Sequence, residues 1–232
     1  MNEIGMTRDA ALAGRSETPV ARAFRPAVWS TVVDGRRYVV KDYAAASWIY
    51  RWTLGRFELV REQRAYERLA GLSFVPHCYG RLDQHALLLE HVEARTLPAA
   101  AAIDLQPKAM EQLYAAVAAM HERGILHNDL RHRTNILVDT AGDVRLIDFA
   151  GSIDVRPGWR QWLFGWVAFI DRSAVVKCWL RYFPECVPPA ELDWYRRYLR
   201  LRTFWPVRNP ALRRQAEQLR QVRQMPCGPA PR

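Results

Sequence analysis

The sequence predicts an α+β protein in two lobes, a small β-rich lobe followed by a helical one. Three observations predict it. Short β-branched runs with hairpin punctuation fill the first third of the chain. One strongly amphipathic helix opens the middle, and beyond Gly158 the sequence is aromatic and helix-forming. A chain of 232 residues, 50% hydrophobic and 25% charged, is large enough for two lobes that share a cleft.

The elements follow in order. Residues 1–15 (MNEIGMTRDAALAGR) lack an apolar run and read as a loose N-terminal arm, without the apolar core of a secretory signal. Val28 to Val33 is a short strand, Asp34-Gly35 a hairpin turn, and Arg36 to Tyr43 a second strand. A helix is expected over Phe57 to Leu72, with Leu59, Tyr66 and Leu69 on its apolar side. Pro76 to Arg81 and His85 to His91 read as two more strands. Pro107 to Arg123 is an amphipathic helix, because Met110, Leu113, Val117 and Met120 recur at three and four residues. Pro107 suits its first turn and Gly124 its end. Ile125-Leu126, Ile136 to Val138 and Val144 to Ile147 are short strands around polar turns. The expected organisation is an arm over 1–15, a β-rich lobe with one helix over 16–92, a helical lobe over 93–220 and a fraying tail over 221–232.

Composition narrows the function classes. No stretch reaches the roughly 18 apolar residues of a membrane-spanning helix. The longest apolar segment, Trp162 to Ile170, reads better as buried helix than as a surface that dips into a bilayer. Cys78, Cys178, Cys186 and Cys227 form no CxxC pair, so they read as free thiols in a reducing cytoplasm. The net charge of +10 comes almost wholly from arginine, since Lys41, Lys108 and Lys177 are the only lysines. From Trp194 onward ten arginines face a single acid, Glu217. Such an excess attracts phosphates, whether of nucleic acid, lipid headgroups or a phosphorylated substrate. It equally fits a solvated helix face.

The chemistry concentrates in residues 127 to 151, HNDLRHRTNILVDTAGDVRLIDFAG. Phosphoryl transfer needs one carboxylate to orient the acceptor hydroxyl. It also needs an amide oxygen and a second carboxylate to hold magnesium against phosphates. Asp129, Asn135 and Asp148 supply these types, and two short strands between them would gather all three at one end of a cleft. This segment resembles the catalytic and metal-binding segments of the protein-kinase-like superfamily. Within it, the likeness is greatest to bacterial lipopolysaccharide core kinases (Kdo and heptose kinases) and to RIO-type kinases. The resemblance implies a two-lobed kinase-like fold and use of ATP and Mg2+. It implies Asp129 as catalytic base, Asn135 and Asp148 as metal ligands, and His127 as a support of the loop.

Upstream, Tyr38-Val-Val-Lys41 resembles the strand whose lysine grips the α- and β-phosphates. Glu62, twenty-one residues on in LVREQRAYERL, matches the glutamate that pairs with it, with Glu58 and Glu67 as nearby competitors. Ala86-Leu-Leu-Leu-Glu-His-Val92 resembles the hinge, where the backbone of Glu90 and Val92 would meet adenine above Leu137. Each motif alone is common; their order on the expected elements is not.

Three departures stand out. Ala21 to Ala27 (ARAFRPA), where a glycine-rich phosphate loop would lie, holds no glycine, and Arg22 or Arg25 would have to substitute as a cation. The step from Asp129 to Asn135 is one residue longer than the family's, so Thr134 takes the asparagine position by strict count; the Asn135-Ile-Leu context and the thirteen-residue step to Asp148 favour an insertion around Arg131 to Arg133. Ala150 replaces the glycine after Asp-Phe.

These residues serve three functions: a kinase for a sugar hydroxyl of the lipopolysaccharide inner core, a RIO-like protein serine/threonine kinase, or a pseudokinase binding module. For the first, a glycolipid acceptor is the expected partner. Trp159, Trp162, Trp166, Trp179, Trp194 and Trp205 could then lay the helical lobe on the anionic inner face of the inner membrane, with ordinary packing as the equal alternative. A nucleic-acid module explains the charge but not the motifs, and ranks last.

Overall fold

The computed structural model describes residues 2–16, 23–155 and 161–203, with the backbone alone at 161–167 and 201–203. Arg22, Trp159, Trp205, Cys227 and the tail from residue 204 onward lie outside the described residues, as do the side chains of Trp162 and Trp166.

The N-terminal segment departs from the expected loose arm. It carries α1 (Arg8–Ala13), which is capped by the Thr7 hydroxyl. Met6 and Ala11 are buried in a cluster with Trp29, Tyr38 and Val40. The Thr31 hydroxyl donates to the Ala11 carbonyl at 2.7 Å, and Arg8 pairs with both Asp42 and Asp83. Buried Ala11, Met6 just ahead of the helix and one arginine seat these six helical residues, too sparse a pattern to stand out in sequence. Arg15 then bridges Thr31 at the outer edge of the sheet.

That sheet is built from β1 (Ala27–Val33), β2 (Arg36–Asp42), β3 (Cys78–Asp83) and β4 (Ala86–Glu90), in the order β1-β2-β4-β3 and antiparallel throughout. Asp34 and Gly35 both take positive φ, 51° and 71°, as the tight turn between β1 and β2 requires. Alternation along β2 puts Tyr38 and Val40 against the α1 side and Val39 and Lys41 on the opposite face, toward the main core.

Between β2 and β3 lie the short α2 (Trp48–Trp52) and the longer α3 (Leu54–Leu69). Helix α3 starts and ends three residues earlier than expected. Thr53 separates it from α2, while Ala70 is extended and Gly71 takes φ +83°, which releases the chain before Leu72. Its buried stripe is Gly55, Leu59, Glu62, Ala65, Tyr66 and Leu69, so the helical repeat carries one glutamate into the interior.

The rest of the chain contains β5 (Ala94–Thr96), α4 (Leu97–Ala101), α5 (Lys108–Glu122), β6 (Ile125–Leu126), β7 (Ile136–Asp139), β8 (Val144–Leu146), β9 (Ile153–Asp154), α6 (Gln161–Tyr182) and α7 (Pro189–Thr203). Helix α5 matches its expected span, with Pro107 at the N-cap and Gly124 at φ +75° beyond the end. Two small sheets, β5-β7-β8 and β6-β9, frame the loop between Leu126 and Ile136. The main core joins α3 to α5, α6 and α7 through Tyr66, Leu69, Leu113, Met120, Trp179 and Tyr195. The strand-rich first part and helical second part form the two-lobed kinase-like fold expected from the sequence. No helix among the described residues is long and apolar enough to cross a membrane.

Candidate active site

Lys41 and Glu62 meet because of two local repeats, the two-residue alternation of β2 and the buried stripe of α3. The Lys41 ammonium lies 2.9 Å from Glu62 Oε1 and 2.8 Å from Oε2, and it donates to Asp148 Oδ1 at 2.6 Å. The competing glutamates are occupied elsewhere: Glu58 accepts from the Tyr50 hydroxyl at 2.6 Å, and Glu67 from the Gln63 amide at 2.7 Å. Burial alone would lower the Lys41 ammonium, but the Glu62 and Asp148 carboxylates outweigh it and hold it above its ordinary value. Burial raises Glu62 and Lys41 pulls it back. At Asp148 burial also acts upward, yet the Lys41 ammonium prevails and the carboxyl stays below the ordinary aspartate range. Lys41 and Asp148 are therefore both charged at neutral pH.

Asp148 sits between β8 and a 3₁₀ turn over Phe149–Gly151, at φ +66°. Asn128, beside the other carboxylate, also has positive φ, +63°. Such conformations cost about 1 kcal/mol or more and gather where function fixes the backbone. Ala150 does not take positive φ, so the absence of glycine there needs no compensation.

The loop from His127 to Asn135 is held from below. Buried Asp171, on α6, accepts the backbone N–H of His127 at 2.7 Å and of Asn128 at 2.8 Å, while His121 Nε2 lies 3.1 Å from the same carboxylate. The His127 ring is fully buried; its Nε2 donates to the Ile147 carbonyl at 3.0 Å, tying the loop to the residue before Asp148. Burial lowers the His127 imidazole below its ordinary value, so it is neutral. Asp171 escaped the sequence reading. Its one signal is a lone acid closing the apolar run from Trp162 to Ile170, and nothing local identifies its partners, more than forty residues upstream.

Asn135 and Asp129 face each other across the lengthened loop. The Asn135 amide donates to the Asp129 carbonyl and to Asp129 Oδ2, both at 3.2 Å, whereas Thr134 is exposed. The extra residue is absorbed in a 3₁₀ turn over Arg133–Asn135. The same turn brings His132 Nδ1 to 2.7 Å and Arg131 Nε to 3.3 Å from Asp129 Oδ1, two contacts that spacing alone did not reveal.

At the other end of the cleft, Glu90 closes β4 opposite Tyr38, and its N–H donates to the His77 carbonyl at 2.8 Å. Val92 follows in the irregular link to β5. Leu137 lies on β7 between the buried Ile136 and Val138, facing away from them. Of the two arginines considered for the phosphate loop, Arg25 is exposed and Arg22 lies outside the described residues.

The donor chemistry fits magnesium. Asn135 uses its NH2 group on Asp129, which leaves its side-chain oxygen for a cation, and the Asp148 side chain is 44% exposed. Two protein oxygens are what a metal shared with phosphates needs. No cluster of three His, Cys, Asp or Glu side chains among the described residues could hold a metal unaided.

No curated protein matches the chain. A family model, that of the protein kinase domain, matches residues 71–163. That stretch carries β4, the loop with Asp129 and Asn135, and the Asp148-Phe149 pair, so the chain is similar to protein kinase domains over less than half of its length, and Lys41 and Glu62 lie outside the match.

Proposed function

We propose that this chain is an ATP- and Mg2+-dependent phosphotransferase whose acceptor is a sugar hydroxyl of the lipopolysaccharide inner core, working in the cytoplasm at the inner membrane face. The observation that carries the transferase reading is the Lys41 ammonium between Glu62 and Asp148, with Asp129 and Asn135 paired on the neighbouring loop.

Each residue has a role within reach. Lys41, kept charged and oriented by Glu62, binds the α- and β-phosphates. Glu90 and Val92 offer backbone groups to adenine, with Leu137 beneath it. Asn135 and Asp148 would hold magnesium, which neutralises charge on the transferring phosphoryl group. Asp129 takes the acceptor's proton. Its Oδ1 is first released by Arg131 and His132, while Asn135 keeps Oδ2 in place.

A sugar rather than protein acceptor is favoured by chain economy. Only residues 155–160 separate β9 from α6, too few for the long segment on which a bound peptide would rest. The aromatic contribution to membrane contact is narrower than the sequence suggested. Trp179 is buried and Trp194 stacks on Tyr198 at 5.5 Å, so both serve packing.

Labelled ATP with fractionated lysate tests the reading. Label in glycolipid, together with a fall in core phosphate in a deletion strain, is the expected result. Label confined to protein bands makes the chain a RIO-like protein kinase. No ATP turnover by the purified chain makes it a binding module.

A further inference from the structure

Beside the catalytic loop lies a pocket of about 230 Å³ whose wall carries Arg131, Arg133, Lys177 and Arg181. Its floor includes the buried Cys178 and Tyr195, and its lining holds no carboxylate among the described residues. The cations come from two elements, the loop after Asp129 and the last turns of α6.

They are held close together. Arg133 and Arg181 lie 5.8 and 6.0 Å from the centre of one ring, that of Tyr182, whose hydroxyl also accepts from Arg133 at 2.8 Å. Burial pushes the Cys178 thiol up to about 12, and Arg133, Lys177 and Arg181 all pull against it, so the three charges act on one point. Like charges within about 10 Å repel, and an anion among them removes that repulsion. The pocket is also joined to the reaction centre, because Arg131 lines it and contacts Asp129 Oδ1 at 3.3 Å.

We propose that this pocket binds a phosphate group already present on the acceptor and so presents a neighbouring hydroxyl to Asp129. The inference rests on the kinase reading for Asp129 but not for the binding itself. It makes the substrate class a phosphorylated molecule, and it gives the positive charge near the cleft a specific task.

Calorimetric titration of the full chain with inorganic phosphate, at ionic strength held constant with chloride, tests the site directly. Phosphate binds in the millimolar range or tighter. Arg181→Glu, an exposed position, weakens it by about tenfold or more, as expected for a lost charge-assisted contact. Lys177→Glu has the same direction of effect, and unchanged circular dichroism confirms that both variants fold. Asp129→Asn abolishes transfer and leaves phosphate binding as tight or tighter, because it removes a carboxylate that competes for Arg131, which separates failure of the pocket from failure of the kinase reading. Displacement of phosphate by glycerol 3-phosphate assigns the pocket to a soluble phosphomonoester. Displacement only by phosphatidylglycerol vesicles assigns it to a lipid phosphate; both results support the site. Absence of phosphate binding, or binding that Arg181→Glu and Lys177→Glu leave untouched, overturns the proposal.

Discussion

Glu62 and Asp171 are both fully buried carboxylates, and the protein neutralises them in opposite ways. Glu62 faces the ammonium of Lys41, a mobile-ended side chain that also reaches Asp148 across the cleft. Asp171 faces two backbone N–H groups and one imidazole, all donors fixed by the fold. A carboxylate held by fixed N–H dipoles is an anchor. A carboxylate held by a shared cation is a positioning device, because the cation is divided between two partners and can be shared again with a phosphate. The difference predicts that Glu62 is tuned for activity and Asp171 for architecture.

Lys41→Met breaks the first arrangement and carries the largest expected effect. Turnover of ATP falls by about 10²-fold or more, because the group that positions phosphate is gone. Asp148 is partly exposed and can take up water, but the fully buried Glu62 loses its counter-ion and must take up a proton, so a loss of stability accompanies the loss of activity. Steady-state kinetics beside a thermal melt measure the two effects separately. An unaltered kcat in a folded Lys41→Met protein would sink the proposed role.

Asp171→Ala breaks the second arrangement. It strands the N–H groups of His127 and Asn128 in the interior, and each buried unsatisfied donor costs about 1–3 kcal/mol. A loss of about 3 kcal/mol or more in denaturant unfolding is expected, along with loss of activity as the loop carrying Asp129 drifts. Glu62→Gln gives the reverse balance, with kcat falling more than stability. Equal proportions of the two losses in both variants would erase the distinction.

These two sites also differ in how far they could be read from sequence. Lys41 and Glu62 could be singled out because each lies on an element with its own repeat, whereas Asp129, Asn135 and Asp148, which lie in loops and turns, could be singled out by their residue types and their order along the chain. The extra residue in the Asp129 loop could be located, but its consequence could not: His132 and Arg131 reach Asp129 only through the 3₁₀ turn that absorbs it. Asp171 was not legible, as its partners are brought to it by the packing of α6 under the loop. Aromatic exposure was hidden for a similar reason. Trp179 is buried at 4% exposure, while Trp48 on α2 of the other lobe is 69% exposed, and hydropathy does not tell which face of a helix gets covered.

His127 connects the two arrangements, donating its N–H to Asp171 and its ring to Ile147, the residue before Asp148. Burial holds its imidazole below the ordinary value of about 6.5 despite Asp171, Asp148 and Asp129 pulling the other way. The unfolded chain therefore binds a proton first as pH falls. Stability from this group is complete above about pH 7.5 and drains as pH drops below 6.5, with a slope approaching about 1.4 kcal/mol per pH unit. Denaturant unfolding at pH 7.5 and 5.5 measures it, and His127→Asn should flatten most of the difference. His85 and His91, also lowered by burial but nearer the surface, account for what remains.

Glu58→Gln is the smallest expected effect and the sharpest control. Glu58 lies one turn before Glu62 on the same helix, yet its carboxylate accepts from the Tyr50 hydroxyl and is only partly buried. Glutamine retains an oxygen for that hydroxyl, and substitutions near the surface usually stay within about 0.5 kcal/mol. The variant should match the parent protein in melting temperature to within a few degrees and in kcat to within about twofold. The same chemical change at Glu62 should lower kcat severely. If Glu58→Gln proves as damaging as Glu62→Gln, then helix α3 needs negative charge in general, and the pairing of one buried acid with Lys41 is not what sets the activity.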